Sequence, residues 1–297
     1  MDITRSTLNA LYTGFNKSYQ AAFAKSEVSY KAIATVVPSS TSQNTYPWLG
    51  KIKGMRKWIG DRQLQKLKGH DYTIKNEDYE NSVEVDRNHI EDDEFGLYKP
   101  MFEDLADTAA RHPDELVFGA LPAGFSSVCF DGQNFFDTDH PVGMEGEETT
   151  VSNMQAGASE PWFLLATKRP MKPVIFQERK KANKLISLDK EEDSNVFMRK
   201  SYIYGVDGRY NVGYGFWQMA FGSKAALTEA NFKAARQAMR DFMGDDGESL
   251  NIEPDMIVIG NGNSDAAEEL FMKDRTGGGD TNTLKNAVTI LRSARIK

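Results

Sequence analysis

The stretch GLYKPMFEDLADTAARHPDELVFGALPAG, residues 96–124, decides how the rest of the chain can be arranged. Tyr98, Met101, Phe102, Leu105, Ala109, His112 and Leu116 recur at helical spacing and form one apolar stripe, so the stretch reads as a long amphipathic helix. Pro100 suits its first turn. Pro113 falls inside it, where proline removes a backbone hydrogen bond and crowds the preceding turn, so a kink or restart is expected there. Gly119 and Pro122 are expected to end the element. His112, on the apolar face, reads as a packed histidine. This helix stands among short strand-like runs without regular βαβ alternation, which favours an α+β fold over a doubly wound sheet.

C-terminal to the helix, SSVCF reads as a strand, followed by DGQNFFDTDHP (131–141) and a polar loop (143–161). PWFLLAT, KPVIFQER, KLISL, SYIYGVD and YGFWQMAFG are strand-like. Thr228 is placed to cap a helix with the stripe Phe232, Ala235, Met239 and Phe242, stopped at Gly244. PDMIVIG is a strand, SDAAEELFMKD a short helix capped by Asp265, RTGGGDTN (275–282) a loop, and TLKNAVTILRSARIK either helix or strand. No repeat of the length that builds solenoids or propellers is present.

On the N-terminal side the charge is split. Residues 51–68 hold seven bases (Lys51, Lys53, Arg56, Lys57, Arg62, Lys66 and Lys68) and one acid, Asp61. Residues 75–94 hold nine acids (Glu77, Asp78, Glu80, Glu84, Asp86, Glu91, Asp92, Asp93 and Glu94) against Lys75 and Arg87. GMRKWI and YENSVEV read as two strands flanking a turn, with few apolar residues to bury. A lone hairpin of that kind is marginal in water. It is either a solvated hairpin with self-neutralising charge or an arm ordered by another molecule. Further upstream, Leu8, Leu11, Tyr12, Phe15, Tyr19, Ala22 and Phe23 mark an aromatic-faced helix over residues 5–25 that must dock on its own domain or on a neighbour.

With 297 residues, 40% hydrophobic and 27% charged, the chain has a soluble globular composition and can bury a substantial core. Its longest apolar runs, such as AIATVV (32–37), are far too short to span a membrane, and MDITRSTLNALYTGF is not read as a signal peptide. The single cysteine, Cys129, excludes an intramolecular disulfide, suits a reducing compartment and reads as a small buried thiol. A net charge of −7 argues against a protein that coats nucleic acid through an overall basic surface.

Three chemistries compete. Asp137, Asp139 and His140 could converge on zinc or manganese in a metal-dependent hydrolase, or act as an acid–base pair. No second His or Cys cluster supports them, and Asp131-Gly132 and Asp139-His140-Pro141 read equally well as turns held by Phe135 and Phe136. IVIGNGNSDAAEEL places Gly260 and Gly262 between a strand and a helix, but an acid stands where a dinucleotide fingerprint needs its third glycine. The 51–68 stretch, with Trp48, Met55 and Trp58 among its bases, could bind single-stranded nucleic acid, although the acidic half would screen it. No GxSxG turn or phosphate-cradling loop occurs, and no cofactor is expected.

LNALYTGFNKSYQAAF, YPWLGKIKGMRKWIGDRQLQKL, YENSVEVDRNHIEDDEFGLYKP, DGQNFFDTDHP, KPVIFQERKKANKLISL, YNVGYGFWQMAFGS and LTEANFKAARQAMRDFMGDDGESLNIEPDMIVIG occur in order along the chain. Together they resemble the major head (capsid) subunits of Mu-like bacteriophages and prophages. The resemblance implies the Hong Kong 97-type capsid fold: an N-terminal arm (1–31), then a peripheral domain (32–134) with an extended loop (about 48–90) and a spine helix (about 95–120). An axial domain (mainly 135–270) and a C-terminal segment (271–297) would follow. It implies a non-enzymatic protein of the virion that assembles in the bacterial cytoplasm. Its copies would form hexamers and pentamers of an icosahedral shell around double-stranded DNA, with scaffold, portal and decoration proteins as further partners and no membrane. DGQNFFDTDHP would then be a link out of the spine-helix region. The expected contacts between subunits are Arg56, Lys57, Trp58, Arg62 and Lys66 on the basic half, Glu77, Asp78, Glu80, Glu84 and Asp86 on the acidic half, and Phe15 and Tyr19 on the N-terminal helix.

Overall fold

The computed structural model describes residues 5–47, 72–91, 95–143, 146–275 and 278–297. Its helices are α1 (Arg5–Lys25), α2 (Tyr30–Ile33), α3 (Arg87–Glu91), α4 (Phe95–Ala123), α5 (Ser194–Arg199), α6 (Glu229–Arg240) and α7 (Ser264–Phe271). The strands before α4 are β1 (Ala34–Pro38), β2 (Gln43–Thr45), β3 (Thr73–Lys75) and β4 (Glu77–Asp86). After it come β5 (His140–Val142), β6 (Thr149–Val151), β7 (Met154–Gln155), β8 (Trp162–Leu165), β9 (Val174–Lys180) and β10 (Ile186–Leu188). The last four are β11 (Ser201–Tyr214), β12 (Ala220–Ser223), β13 (Met256–Ile259) and β14 (Thr289–Arg292).

Two five-stranded sheets organise the chain. One runs β1-β9-β11-β10 with β4 also on β11; the other runs β14-β13-β8-β12-β7. β11 is the seam of the first sheet, pairing with β10 through 203–205, with β4 through 201–210 and with β9 through 209–214. Its Tyr202, Tyr204, Val206 and Tyr210 alternate onto one buried face. The expected strand SYIYGVD continues past Asp207 and Gly208 to Tyr214, and the expected strand YGFWQMAFG is divided. A short 3₁₀ turn (Trp217–Met219) and then β12 follow β11. The C-terminal segment resolves as a strand: β14 runs parallel beside β13, and Ile296 is buried in the core.

The long helix is unbroken from Phe95 to Ala123, so no restart marks Pro113. An internal proline costs about 3 kcal/mol. Here the helix is clamped on both sides of it. Phe102, Leu105 and Ala106 are buried before Pro113, and Val117, Phe118 and Leu121 after it. Each such large side chain contributes about 1.5–3 kcal/mol by burial, which outweighs the lost bond. Asp114, next to the proline, accepts hydrogen bonds from the amides of Tyr30 (2.7 Å) and Ser29 (3.0 Å) and so ties α2 to α4.

Those two clamps are two separate cores. The larger surrounds the second sheet and the β9 end of the first, with Trp162, Phe163, Trp217, Phe176, Phe232 and Phe271 among its buried side chains. The smaller lies where α1 and the first half of α4 cover β11, with Leu8, Phe15, Tyr19, Phe102, Tyr202 and Tyr204. α1 therefore docks on its own chain. Phe15 stacks on Phe102 at 4.3 Å, and the Tyr12 hydroxyl donates to the Leu185 carbonyl at 2.7 Å. α6 starts at the expected cap, where Thr228 accepts from the Asn231 amide. The cap of α7 is Asn263, two residues earlier than expected, which places Asp265 in its first turn.

Candidate assembly surface

DGQNFFDTDHP leaves the end of α4 and folds back as a closed turn. Phe135 and Phe136 are buried, and the Phe136 ring fills the space a side chain would need at both Gly124 and Gly222. Asp137 turns onto its own loop and accepts from the Asn134 amide and side chain (3.1 and 2.9 Å) and the Thr138 amide (2.8 Å). Burial alone would raise its carboxyl, but these hydrogen bonds outweigh it and hold the group below the usual carboxylate range. Asp139 is exposed.

The partner of His140 is Asp131, nine residues upstream, rather than Asp137 or Asp139. Its Nδ1 lies 2.7 Å from the Asp131 carboxylate and its Nε2 lies 3.2 Å from Asn153 Oδ1. The ring stacks on Trp217 at 4.1 Å, and the His140 side chain is fully buried. Asn153 is fixed in turn by donating to the Phe135 carbonyl at 2.8 Å. Cys129 completes the group, with its thiol 3.1 Å from Asp131. Burial and then the Asp131 charge push that thiol upward and keep it protonated.

Among the described residues, Cys129, Asp131 and His140 form the group of three whose donor atoms could meet on a metal. The Asp131–His140 separation of 2.7 Å is that of a hydrogen bond. Tetrahedral donors around zinc stand about 3.3 Å apart. The hydrolase reading on Asp137, Asp139 and His140 is therefore corrected: the three do not converge, and both histidine nitrogens are engaged in a latch that closes the turn. The glycine turn at 260–262 is likewise closed, because the Glu160 carboxylate lies against Gly260 and Gly262 where a phosphate would have to approach.

The acidic half forms a strand, and the basic strand expected beside it lies outside the described residues. Among the described residues β4 pairs with β11, in register from Ser201↔Asp86 to Tyr210↔Glu77. Alternation explains the choice. Val83 and Val85 lie opposite Tyr204 and Tyr202, and Tyr79 stacks on Tyr210 at 5.0 Å, so an aromatic strand supplies the apolar face that the basic stretch lacks. Glu77, Asp78, Glu80, Glu84 and Asp86 are all exposed. Asp78 meets Arg209 at 3.3 Å, while among the described residues no cation pairs with Glu77 or Glu84.

Arg56, Lys57, Trp58, Arg62 and Lys66 lie outside the described residues. Their flanks are fixed at one place: β2 pairs with β3, and the Tyr46 amide donates to the Tyr72 carbonyl at 2.8 Å. Phe15 and Tyr19 are 6% and 0% exposed, so both are taken up inside the protomer's smaller core. The sequence reading passed over an uncovered apolar corner, formed by Ile186 and Leu188 on β10 and Phe197 and Met198 on α5. Its only signal was the apolar run VFM in the otherwise polar stretch DSNVFMRK.

The family profile described as Mu-like prophage major head subunit gpT matches residues 8–296. The chain is 45% identical over 281 residues to the Mu-like prophage FluMu major head subunit of Haemophilus influenzae, covering 92% of this chain and 91% of the relative. It is 38% identical over 288 residues to the major capsid protein of Escherichia phage Mu, covering 95% and 94%. Among solved structures, a chain in the procapsid of bacteriophage JBD30 superposes with a TM-score of 0.89 at 42% identity, covering 99% of this chain and 100% of that one. A chain of the JBD30 capsid superposes with a TM-score of 0.77 at 32% identity, covering 100% of both.

Proposed function

The chain belongs to the Mu-like prophage major head subunit family, and on that footing we propose how its surfaces build a head. It is a major capsid protein, a structural component of an icosahedral phage head rather than an enzyme, with the Hong Kong 97-type α+β fold. Neither the hydrolase nor the single-strand nucleic-acid reading is supported.

In our reading, the acidic row of β4 in one copy receives the basic stretch 51–68 of a neighbouring copy. The observation that carries this is the row of four exposed carboxylates, Asp78, Glu80, Glu84 and Asp86, facing outward from a strand whose other face carries Tyr79, Val83 and Val85. The basic stretch carries the opposite charge, and its flanks meet at β2 and β3. Within the extended loop proposed over about 48–90, Thr73–Lys75 and Glu77–Asp86 are the strands β3 and β4. Phe15 and Tyr19 act indirectly, by seating α1 against α4. We retain the remaining division: an arm within 1–31, a peripheral domain to about 134 with α4 as its spine, and an axial domain over most of 135–270. The segment 271–297 completes the second sheet.

Each exposed ion pair contributes only about 0–1 kcal/mol. Repeated around hexamers and pentamers such pairs accumulate, and each stays weak enough to release a misplaced subunit. The overall negative charge suits a wall that encloses double-stranded DNA without gripping it. Scaffold, portal and decoration proteins complete the head, which assembles in the host cytoplasm.

A charge exchange tests this. Glu80→Lys with Glu84→Lys should leave the isolated chain folded and cut particle yield by about tenfold or more, as should Arg56→Glu with Lys57→Glu and Arg62→Glu. Mixing the two variants should restore particles by electron microscopy, because each then supplies the other's partner. Normal yield from either variant alone would remove the assignment.

A further inference from the structure

Eight large apolar side chains are exposed among the described residues, and four of them fall in one stretch, 186–198. Phe197 and Met198 are 80% and 75% exposed, and Ile186 and Leu188 are 49% each. This corner is built rather than frayed. Val196 anchors α5 in the smaller core, and the Asn195 side chain donates to the carbonyls of Leu188 (2.9 Å) and Ser201 (2.7 Å). Lys200 takes a left-handed conformation that closes α5, and its carbonyl accepts from the Arg87 amide at 2.8 Å. The packed backbone therefore holds Phe197 and Met198 outward.

Charge around the apolar pair is split: exposed Glu191 and Glu192 precede α5, and exposed Arg199 and Lys200 close it. A surface with acids on one side and bases on the other of an apolar centre is complementary to a copy of itself. Two such large side chains offer on the order of 300 Å² of apolar surface, well below the roughly 800 Å² per partner of a stable pair. A contact of that size holds no dimer in dilute solution, but it adds where other contacts already hold the copies close.

We propose that this corner is a contact between copies of the chain, in which Phe197 and Met198 bury against the same corner of a second copy, with Glu191 and Glu192 facing its Arg199 and Lys200. The proposal rests on the chain being a self-assembling head subunit, and it is separate from the acidic row of β4.

The single native cysteine is buried, so Met198→Cys introduces the only accessible thiol. In assembled particles a short bis-maleimide should link Met198→Cys chains to one another, and it should link none in dilute unassembled protein. Phe197→Ser with Met198→Ser should keep the circular dichroism and melting temperature of the parent while particle yield falls by about tenfold, the factor that corresponds to about 1.4 kcal/mol per contact. Normal yield from the double variant, or Met198→Cys particles that do not cross-link, would overturn the proposal. Cross-linking to a different protein of the particle would overturn it too and assign the corner to that partner. If the β4 charge exchange fails while this cross-link forms, the ionic pairing is lost and this contact stands.

Discussion

The two cores of the protomer are built to different standards. The larger is sealed by aromatic side chains from both sheets, with Trp217 1% exposed between His140 and Phe242. The smaller is a single helical layer on one end of the first sheet. It depends on α1, which reaches it from the start of the chain, and it contains a polar fault: the Tyr204 hydroxyl is buried with no hydrogen-bond partner among the described residues. The acidic row and the apolar corner both belong to this less self-sufficient half. The half that presents the two proposed assembly surfaces is thus the one with the smaller core, which is where local opening is expected.

Mutations in the two halves should therefore behave differently, and the largest effect belongs to the larger core. Trp217→Ala removes the stack on His140 and opens a cavity, and it should destabilise the whole chain by about 3–5 kcal/mol, measured by denaturant unfolding. Phe15→Ala should cost about 3 kcal/mol, with the increase in amide exchange confined to α1, β4, β10 and the first half of β11. Exchange spreading equally into β8 and β13 would mean that the cores are one cooperative unit and would erase the distinction drawn here. The smallest effect has the opposite sign. Tyr204→Phe deletes the unpartnered hydroxyl and should stabilise the smaller core by about 1 kcal/mol, read as a raised melting temperature.

How far the sequence disclosed this arrangement varies by element, for physical reasons. α1 and α6 were legible because their apolar stripes repeat without interruption and the packing follows the stripe. At Pro113 local backbone preference allowed a restart, and the burial on both sides, which carries the helix through, was not visible locally. The pairing of β4 with β11 was hidden because charge drew the reading to the basic stretch, whereas this pairing follows apolar alternation, which Gly208 interrupts on the buried face of β11. In DGQNFFDTDHP the reactive residue types were visible, but which acid meets His140 depends on the turn at Gly132, where φ is +89°. The acids nearest in sequence point elsewhere, and only the fold brings Asp131 back.

α4 and β11 each run through both cores. The protomer is therefore spliced by two continuous members rather than hinged between two lobes. A load applied at the α5 corner reaches Tyr214 along the covalent backbone of β11, so the curvature a subunit adopts in a wall is set by how far these two members bend together.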